Sequence, residues 1–438
     1  MRKITSKRCW IDGQLRAATI TIDQGQIAAI DLGTNTTAQD FGNNIIMPGI
    51  LDVHVHVNEP GRTEWEGFET ITQAAAAGGI TSIVDMPLNA SPVSTTVEAF
   101  KLKLEASKNK MNVNCGFYGG LIPGNSHEIE GLIKAGVLGI KCFLTHSGID
   151  EFPNVTEKDL DIAMPIIAKY NIPLLVHCEL EDGFKNNLQE IPGSYSAYLD
   201  SRPKKWENDA ISMMIHLCKK HQCRVHIVHV SSAEALKDIE QAKADGLPIS
   251  AETCAQYLLF NAEEIPDNST IYKCAPPIRE KANNGQLKNA LKSGILDFIT
   301  TDHSPAPERL KEIESGSFHK AWGGIAGVQF LLPAAWQSLN SILKLEEFIP
   351  LLTENPAKFI HQDKKGKIAI GFDADITIWN PESSIKPTEQ GIFFKHKISP
   401  YIGKTMLGEV LETIVSGETV FKNNSILKSH QGKWLIQA

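Results

Sequence analysis

His54 and His56 stand two residues apart in the stretch Asp52-Val53-His54-Val55-His56-Val57, with apolar residues leading in from Ile45 to Leu51. Valines alternate with the imidazoles, the two-residue period of a strand, so both rings project from one face. Paired imidazoles at the end of a buried strand make half of a metal site. Alone, a His-x-His pair is an ordinary feature of a half-wet strand; the rest of the chain decides. Further titratable residues end or interrupt short apolar runs: Lys141 within Gly139–Leu144, His177 after Leu175-Val176, His229 after Ile227-Val228, and Asp302 after Thr300-Thr301.

An ammonium inside an apolar run is costly unless paired, and burial lowers its pKa. A neutral lysine amine reacts with carbon dioxide to form a carbamate, whose two oxygens can bridge two cations. His177 and His229 each have a simple reading as core histidines, yet together, at two strand ends, they read as ligands of a second metal. His226 lies three residues before His229 and faces the other way on a regular strand, so it is left out. Asp302 has the competing reading of a helix cap. A water between two cations should lose its proton near neutral pH, and Asp302 could take a proton and pass it to a leaving nitrogen. This chemistry is hydrolysis of a C–N bond in an amide-like ring, or of an ester-like substrate.

The elements that must position these residues are eight apolar runs: 50–57, 81–87, 112–119, 138–144, 172–177, 224–230, 248–253 and 296–301. Helical patterns lie between them, among them 68–77, 157–170, 205–221 and 233–245. Buried strands alternating with helices predict an α/β fold, a (β/α)8 TIM-like barrel, with its chemistry at the C-terminal strand ends. Both chain ends read instead as short strands, predicting one small β-sandwich-like domain formed from residues 1–49 and 370–438, around a barrel over 50–369. The stretch 179–203 after the fifth run predicts a lid loop.

Composition narrows the functional classes. Lys and Arg number 43 against 51 Asp and Glu, a formal charge of -8, which argues against a nucleic-acid partner. No apolar run approaches the roughly 20 residues of a membrane span, and no apolar core follows the basic N-terminus as in a secretory signal. The eight cysteines are scattered without a Cys-x-x-Cys pair, which predicts a reducing, cytoplasmic setting without disulfides.

The ordered set His54-x-His56, Lys141, His177, His229 and Asp302 resembles the amidohydrolase superfamily, in the branch that holds dihydroorotases, hydantoinases and allantoinases. The resemblance implies that His54 and His56 hold one divalent ion and that His177 and His229 hold another. It also implies that Lys141, as N6-carboxylysine, bridges them, and that Asp302 binds metal and shuttles the proton. Zinc suits such nitrogen and oxygen ligands, as do cobalt, manganese and iron. Residues 56–68, 85–89, 141–144, 147–153 and 321–327 are similar to the allantoinase group. That likeness implies opening of the hydantoin ring of allantoin to allantoate in purine degradation, with a homotetramer by analogy.

Dihydroorotases typically carry an arginine two residues after the second histidine, where its fork pairs the substrate carboxylate. This chain has the neutral Asn58 there, with Arg62 nearby as a conceivable replacement. Hydantoinases typically carry a tyrosine where this chain has His146, and an Asn-Gly-Ile motif where it has Gly323-Gly324-Ile325. Asn58, Asn89, Ser304 and Gly324 are the expected substrate contacts, although Asn and Ser serve loops and caps equally well. Hydantoinase (dihydropyrimidinase) and dihydroorotase activities are the alternatives within this chemistry. A non-catalytic scaffold on the same fold is the alternative outside it, and such relatives typically lack ligands that this chain retains.

Overall fold

A computed structural model describes residues 1–183, 191–427 and 430–436. The eight predicted runs form eight parallel strands: β1 Ile50–Val55, β2 Ile80–Asp85, β3 Asn114–Phe117 with its continuation Gly119–Gly120, β4 Ile140–Phe143, β5 Leu174–His177, β6 Val225–Ile227, β7 Ile249–Cys254 and β8 Phe298–Thr300. Neighbours in sequence pair in parallel throughout, as in Asp52↔Ile83, Lys141↔Gly120, Phe143↔His177 and Cys254↔Thr300. Nearly every strand residue is buried, because helices cover the outer face. Phe68–Ala77 and Lys204–His221 are such helices, and each turns its apolar stripe inward.

The barrel closes between β8 and β1. The His56 amide donates to the His303 carbonyl at 2.9 Å. Below it, the buried Asp52 carboxylate accepts from Thr301 Oγ1 at 2.5 Å, from the Thr301 amide at 3.3 Å and from the His54 amide at 3.2 Å. Asp52 thus ties β1 to β8 directly under the two histidines. Burial pushes its carboxyl up to about 7, against the hydrogen bonds from Thr301 and His54.

Both ends of the chain join one nine-stranded sheet. Its N-terminal strands include Arg2–Ile11, Gln14–Asp23 and Ile45–Pro48, and its C-terminal strands include Ile376–Ile385 and Met406–Val415. The halves meet where Ile45–Pro48 pairs antiparallel with Ile376–Trp379. Ile4, Ile20, Ile22, Ile46, Ile376 and Ile414 give this sheet a core of its own.

Several boundaries differ from the sequence expectation. β6 stops at Ile227 because His229 takes the left-handed region at φ +41°, which ends strand pairing. The third run breaks at Tyr118, and its first half pairs with Trp434–Leu435 as well as with β2. Residues 434–435 therefore return to the barrel, away from the terminal sheet in which 370–438 were expected to lie. Within the expected lid, residues 184–190 lie outside the described residues. Its later part holds the helix Tyr195–Asp200, which is tied down: Tyr195 Oη donates to the Ile278 carbonyl and Tyr198 Oη to the Cys274 carbonyl, each at 2.7 Å. Among the described residues, no helix is long and apolar enough to cross a membrane.

Replacing Thr301 by Val would leave the Asp52 carboxylate buried with its shortest hydrogen bond missing. The expected cost is about 1–3 kcal/mol, read as an earlier midpoint in urea unfolding.

Candidate active site

The strand ends bring the expected residues to one mouth. His54 sits on β1 with His56 just past its end, Lys141 within β4, His177 at the end of β5, His229 past β6 and Asp302 past β8. All six are buried. Asp302 Oδ1 lies 3.2 Å from His54 Nε2 and 3.2 Å from His56 Nε2. His177 Nδ1 faces His229 Nε2 at 2.9 Å. The His54 and His229 rings lie 5.4 Å apart, so the two histidine pairs adjoin. Ligand atoms of His54, His229 and Asp302 fall within 4.8 Å of one another.

Two carboxylates that were not singled out in the sequence set the tautomers. Glu252 Oε1 lies 2.5 Å from His54 Nδ1, and Glu179 Oε2 lies 2.7 Å from His177 Nε2. Each carboxylate accepts a hydrogen bond from the ring N–H it faces, which turns His54 Nε2 and His177 Nδ1 inward. Glu179 is itself paired with Arg202, whose Nε is 3.0 Å from Oε1. A signal for Glu252 existed: it is the lone charged residue in the seventh apolar run, where an unpaired carboxylate would be costly.

Burial pushes the imidazoles of His56, His177 and His229 below their ordinary range and so keeps them neutral. His54 goes the other way: burial opposes its charge, but the Glu252 and Asp302 carboxylates prevail and raise it to about 9. For Asp302, burial alone would raise the carboxyl; His54 and His56 outweigh it and hold the group well below the usual carboxylate range. Burial brings the Lys141 ammonium down to about 8. Its Nζ donates to the Cys142 carbonyl at 3.1 Å and lies 4.0 Å from the centre of the Phe143 ring.

This donor set fits divalent cations. The neutral imidazoles of His56, His177 and His229 offer lone pairs, and a cation at His54 Nε2 would displace the proton that Glu252 and Asp302 hold on that ring. His229 Nδ1 and Asn89 Oδ1 are buried without hydrogen-bond partners. Asn89 Nδ2 lies 3.3 Å from His56 Nδ1. Turning that amide would give a protonated Nδ1 an acceptor and leave His56 Nε2 free to ligate.

The mouth opens into a cavity of about 600 Å³ lined by these histidines, Asp302, Asn89, Ser304 and Gly323. Two expected substrate contacts do not line it. Asn58 is fully buried, its amide donating to the Glu66 carbonyl and its carbonyl accepting from the Arg62 amide, so it shapes the loop after β1. Gly324 permits a close backbone approach: a Cβ there would stand 2.3 Å from the Ser304 carbonyl oxygen. His303, adjacent to Asp302, accepts from the Gly327 and Val328 amides through Nδ1 and anchors the same loop.

Replacing Gly324 by Ala forces the Ser304 segment aside. A destabilisation of about 1–3 kcal/mol is expected, measurable as a lower thermal midpoint, with no such change for Gly323→Ala, where the nearest atom is 3.8 Å away.

Comparison with known proteins gives the family and the fold. Residues 45–420 match the amidohydrolase family. The chain is 41% identical to a probable allantoinase of Oryza sativa subsp. japonica, across 98% of this chain and 89% of that protein. It is 40% identical to an allantoinase of Arabidopsis thaliana, across 95% and 87%. Among solved structures it resembles an L-hydantoinase (dihydropyrimidinase) from Arthrobacter aurescens, with a TM-score of 0.93 and 29% identity over the whole of both chains. With the family match spanning the barrel and much of the terminal sheet, this chain belongs to the amidohydrolase family.

Proposed function

We propose that the chain hydrolyses a cyclic amide, opening the hydantoin ring of allantoin with water to give allantoate in purine degradation. The observation that carries this reading is the meeting of His54, His56, His177, His229 and Asp302 at one buried mouth, with Lys141 buried on β4 against Phe143, in a chain about 40% identical over most of its length to proteins named allantoinase. Retention of all six residues supports an enzyme over a non-catalytic scaffold. These residues lie within 50–369, which we take as the catalytic domain, with 1–49 and the C-terminal segment from 370 as the accessory one, save for Trp434–Leu435, which pair with the barrel.

In this reading His54 and His56 would hold one divalent cation and His177 and His229 a second, with Lys141 as the shared ligand and Asp302 a further ligand. Zinc suits the ligands. Such cations supply Lewis-acid polarisation of a carbonyl and water that ionises near neutral pH. The Lys141 amine forms a bond to the carbon of carbon dioxide and releases a proton, giving a carbamate with two oxygens to share. Asp302 Oδ1, between the Nε2 atoms of His54 and His56, takes a proton from water and returns it to the departing ring nitrogen. Glu252 and Glu179 hold the imidazoles in register meanwhile.

Substrate choice follows from charge. Arg62 is engaged by Glu151 at 2.6 Å and by the Asn89 carbonyl at 3.0 Å, and Asn58 is neutral, so neither serves as the guanidinium that a ring carboxylate needs. A neutral ring with a ureido arm suits Asn89 and Ser304 better. Assays of the metal-loaded protein on allantoin, hydantoin and dihydroorotate should give turnover chiefly with allantoin; turnover chiefly with either of the others would reject this substrate.

Asp302→Asn is expected to keep its cations by metal analysis while turnover falls about 10²–10⁴-fold. Lys141→Ala should lose both cations and turnover, with partial recovery when a short carboxylic acid is added. Because the amine must be neutral to capture carbon dioxide, reactivation of metal-free protein with zinc at a fixed concentration of dissolved carbon dioxide should accelerate as pH rises toward about 8 and level off above it.

A further inference from the structure

Glu252 does more than face one imidazole. Its Oε1 accepts from His54 Nδ1 at 2.5 Å and from the backbone amide of His229 at 3.4 Å. Its own carbonyl accepts from the Val230 amide at 2.8 Å. One residue on β7 therefore grips a side chain of β1 and the backbone on both sides of the left-handed turn at His229, whose φ is +41°. That conformation is uncommon outside glycine and persists only where the surroundings hold it.

The other oxygen is held in turn. His226 Nε2 lies 3.2 Å from Glu252 Oε2, and His226 Nδ1 lies 2.8 Å from Ser250 Oγ. The carboxylate can only accept, so His226 carries its proton on Nε2 and accepts the Ser250 hydroxyl at Nδ1. The His226 ring packs against Phe298 and Phe359, at 5.1 and 4.3 Å between centres. A column of hydrogen bonds thus runs through the barrel interior: Ser250, His226, Glu252, His54 and Asp302. Ser250 lines a separate cavity of about 430 Å³ beside Arg224 and Phe359.

We propose that Glu252 is a positioning residue for the cation site, and that His226 is the latch that keeps its carboxylate aimed. Glu252 sets the ring orientation of His54 and the backbone of His229, one residue from each histidine pair. His226, the histidine that faces away from the mouth, acts only through Glu252. The proposal rests on the reading of the strand-end cluster as a cation site, but not on the identity of the substrate.

The test measures cation affinity as well as turnover. Purified protein is loaded with Co²⁺, and affinity is determined by chelator competition alongside the visible absorption bands of the ion. Glu252→Gln is expected to weaken binding about ten- to a hundredfold and to shift those bands. Turnover should fall through kcat, with KM little changed. His226→Phe keeps the aromatic packing against Phe298 and Phe359 but removes the donor, and should weaken binding about tenfold. His226→Gln restores a donor to Glu252 Oε2 and should recover most of the affinity. Should Glu252→Gln fail to fold, the two His226 variants carry the test.

Unchanged Co²⁺ affinity and bands in a folded Glu252→Gln or His226→Phe protein would overturn the proposal. So would equal losses in His226→Phe and His226→Gln, since the donated hydrogen bond would then be irrelevant. Failure to turn over allantoin, with the cation results as expected, would reject the substrate and leave the positioning role standing.

Discussion

The barrel is closed by a buried carboxylate. Asp52 on β1 accepts two hydrogen bonds from Thr301, just past β8, and a third from the amide of His54. Everything at the mouth depends on that seam, because His54 and His56 follow Asp52 on one side and Asp302 follows Thr301 on the other. Covalent neighbours of a closed seam have little freedom, so the aspartate arrives 3.2 Å from both imidazoles without a long flexible side chain having to find them.

Above the seam, burial and charge act in opposite directions on neighbouring groups. Burial keeps His56, His177 and His229 neutral and lowers Lys141, which readies their lone pairs. Asp302 stays ionised because His54 and His56 outweigh the same burial. Glu179 and Glu252 would also be protonated by burial alone. Arg202 and His177 hold the first as an anion, and His54 and His226 hold the second. A site built this way contains fixed carboxylates and neutral bases at once, and keeps that mixture further into acid than the same groups would in water.

The loops beyond the strands are held by backbone acceptors. The carbonyls of Cys274, Pro276, Pro277 and Ile278 each take a side-chain hydroxyl, from Tyr198, Tyr257, Ser231 and Tyr195. Arg279 in the same segment is buried and donates to the Arg202 carbonyl. Lys311 donates to the carbonyls of Trp322 and Gly324 at 2.9 and 2.8 Å, drawing in the loop that borders the cavity. These contacts leave the cavity wall on rigid supports, as a site selective for a small polar ring requires.

Much of this was legible in the chain itself. Periodicity revealed the eight strands, because a strand buried on both faces needs an unbroken apolar run, and the titratable residue ending such a run marks a strand end. Residue order also brought out the six clustered side chains. What sequence could not supply was set by contacts between distant strands. Glu252 becomes a partner of His54 only when β7 curls round to face β1, and Asn58 and Gly324 prove to be loop supports only when their neighbours are seen. The left-handed turn at His229, which shortened β6, depends on hydrogen bonds from β7. Local pattern therefore determined which elements exist and which chemistry they carry, since side-chain type and spacing are properties of the chain. The tertiary structure decided tautomer, charge and aim, since these depend on which groups burial places within a few ångströms of one another.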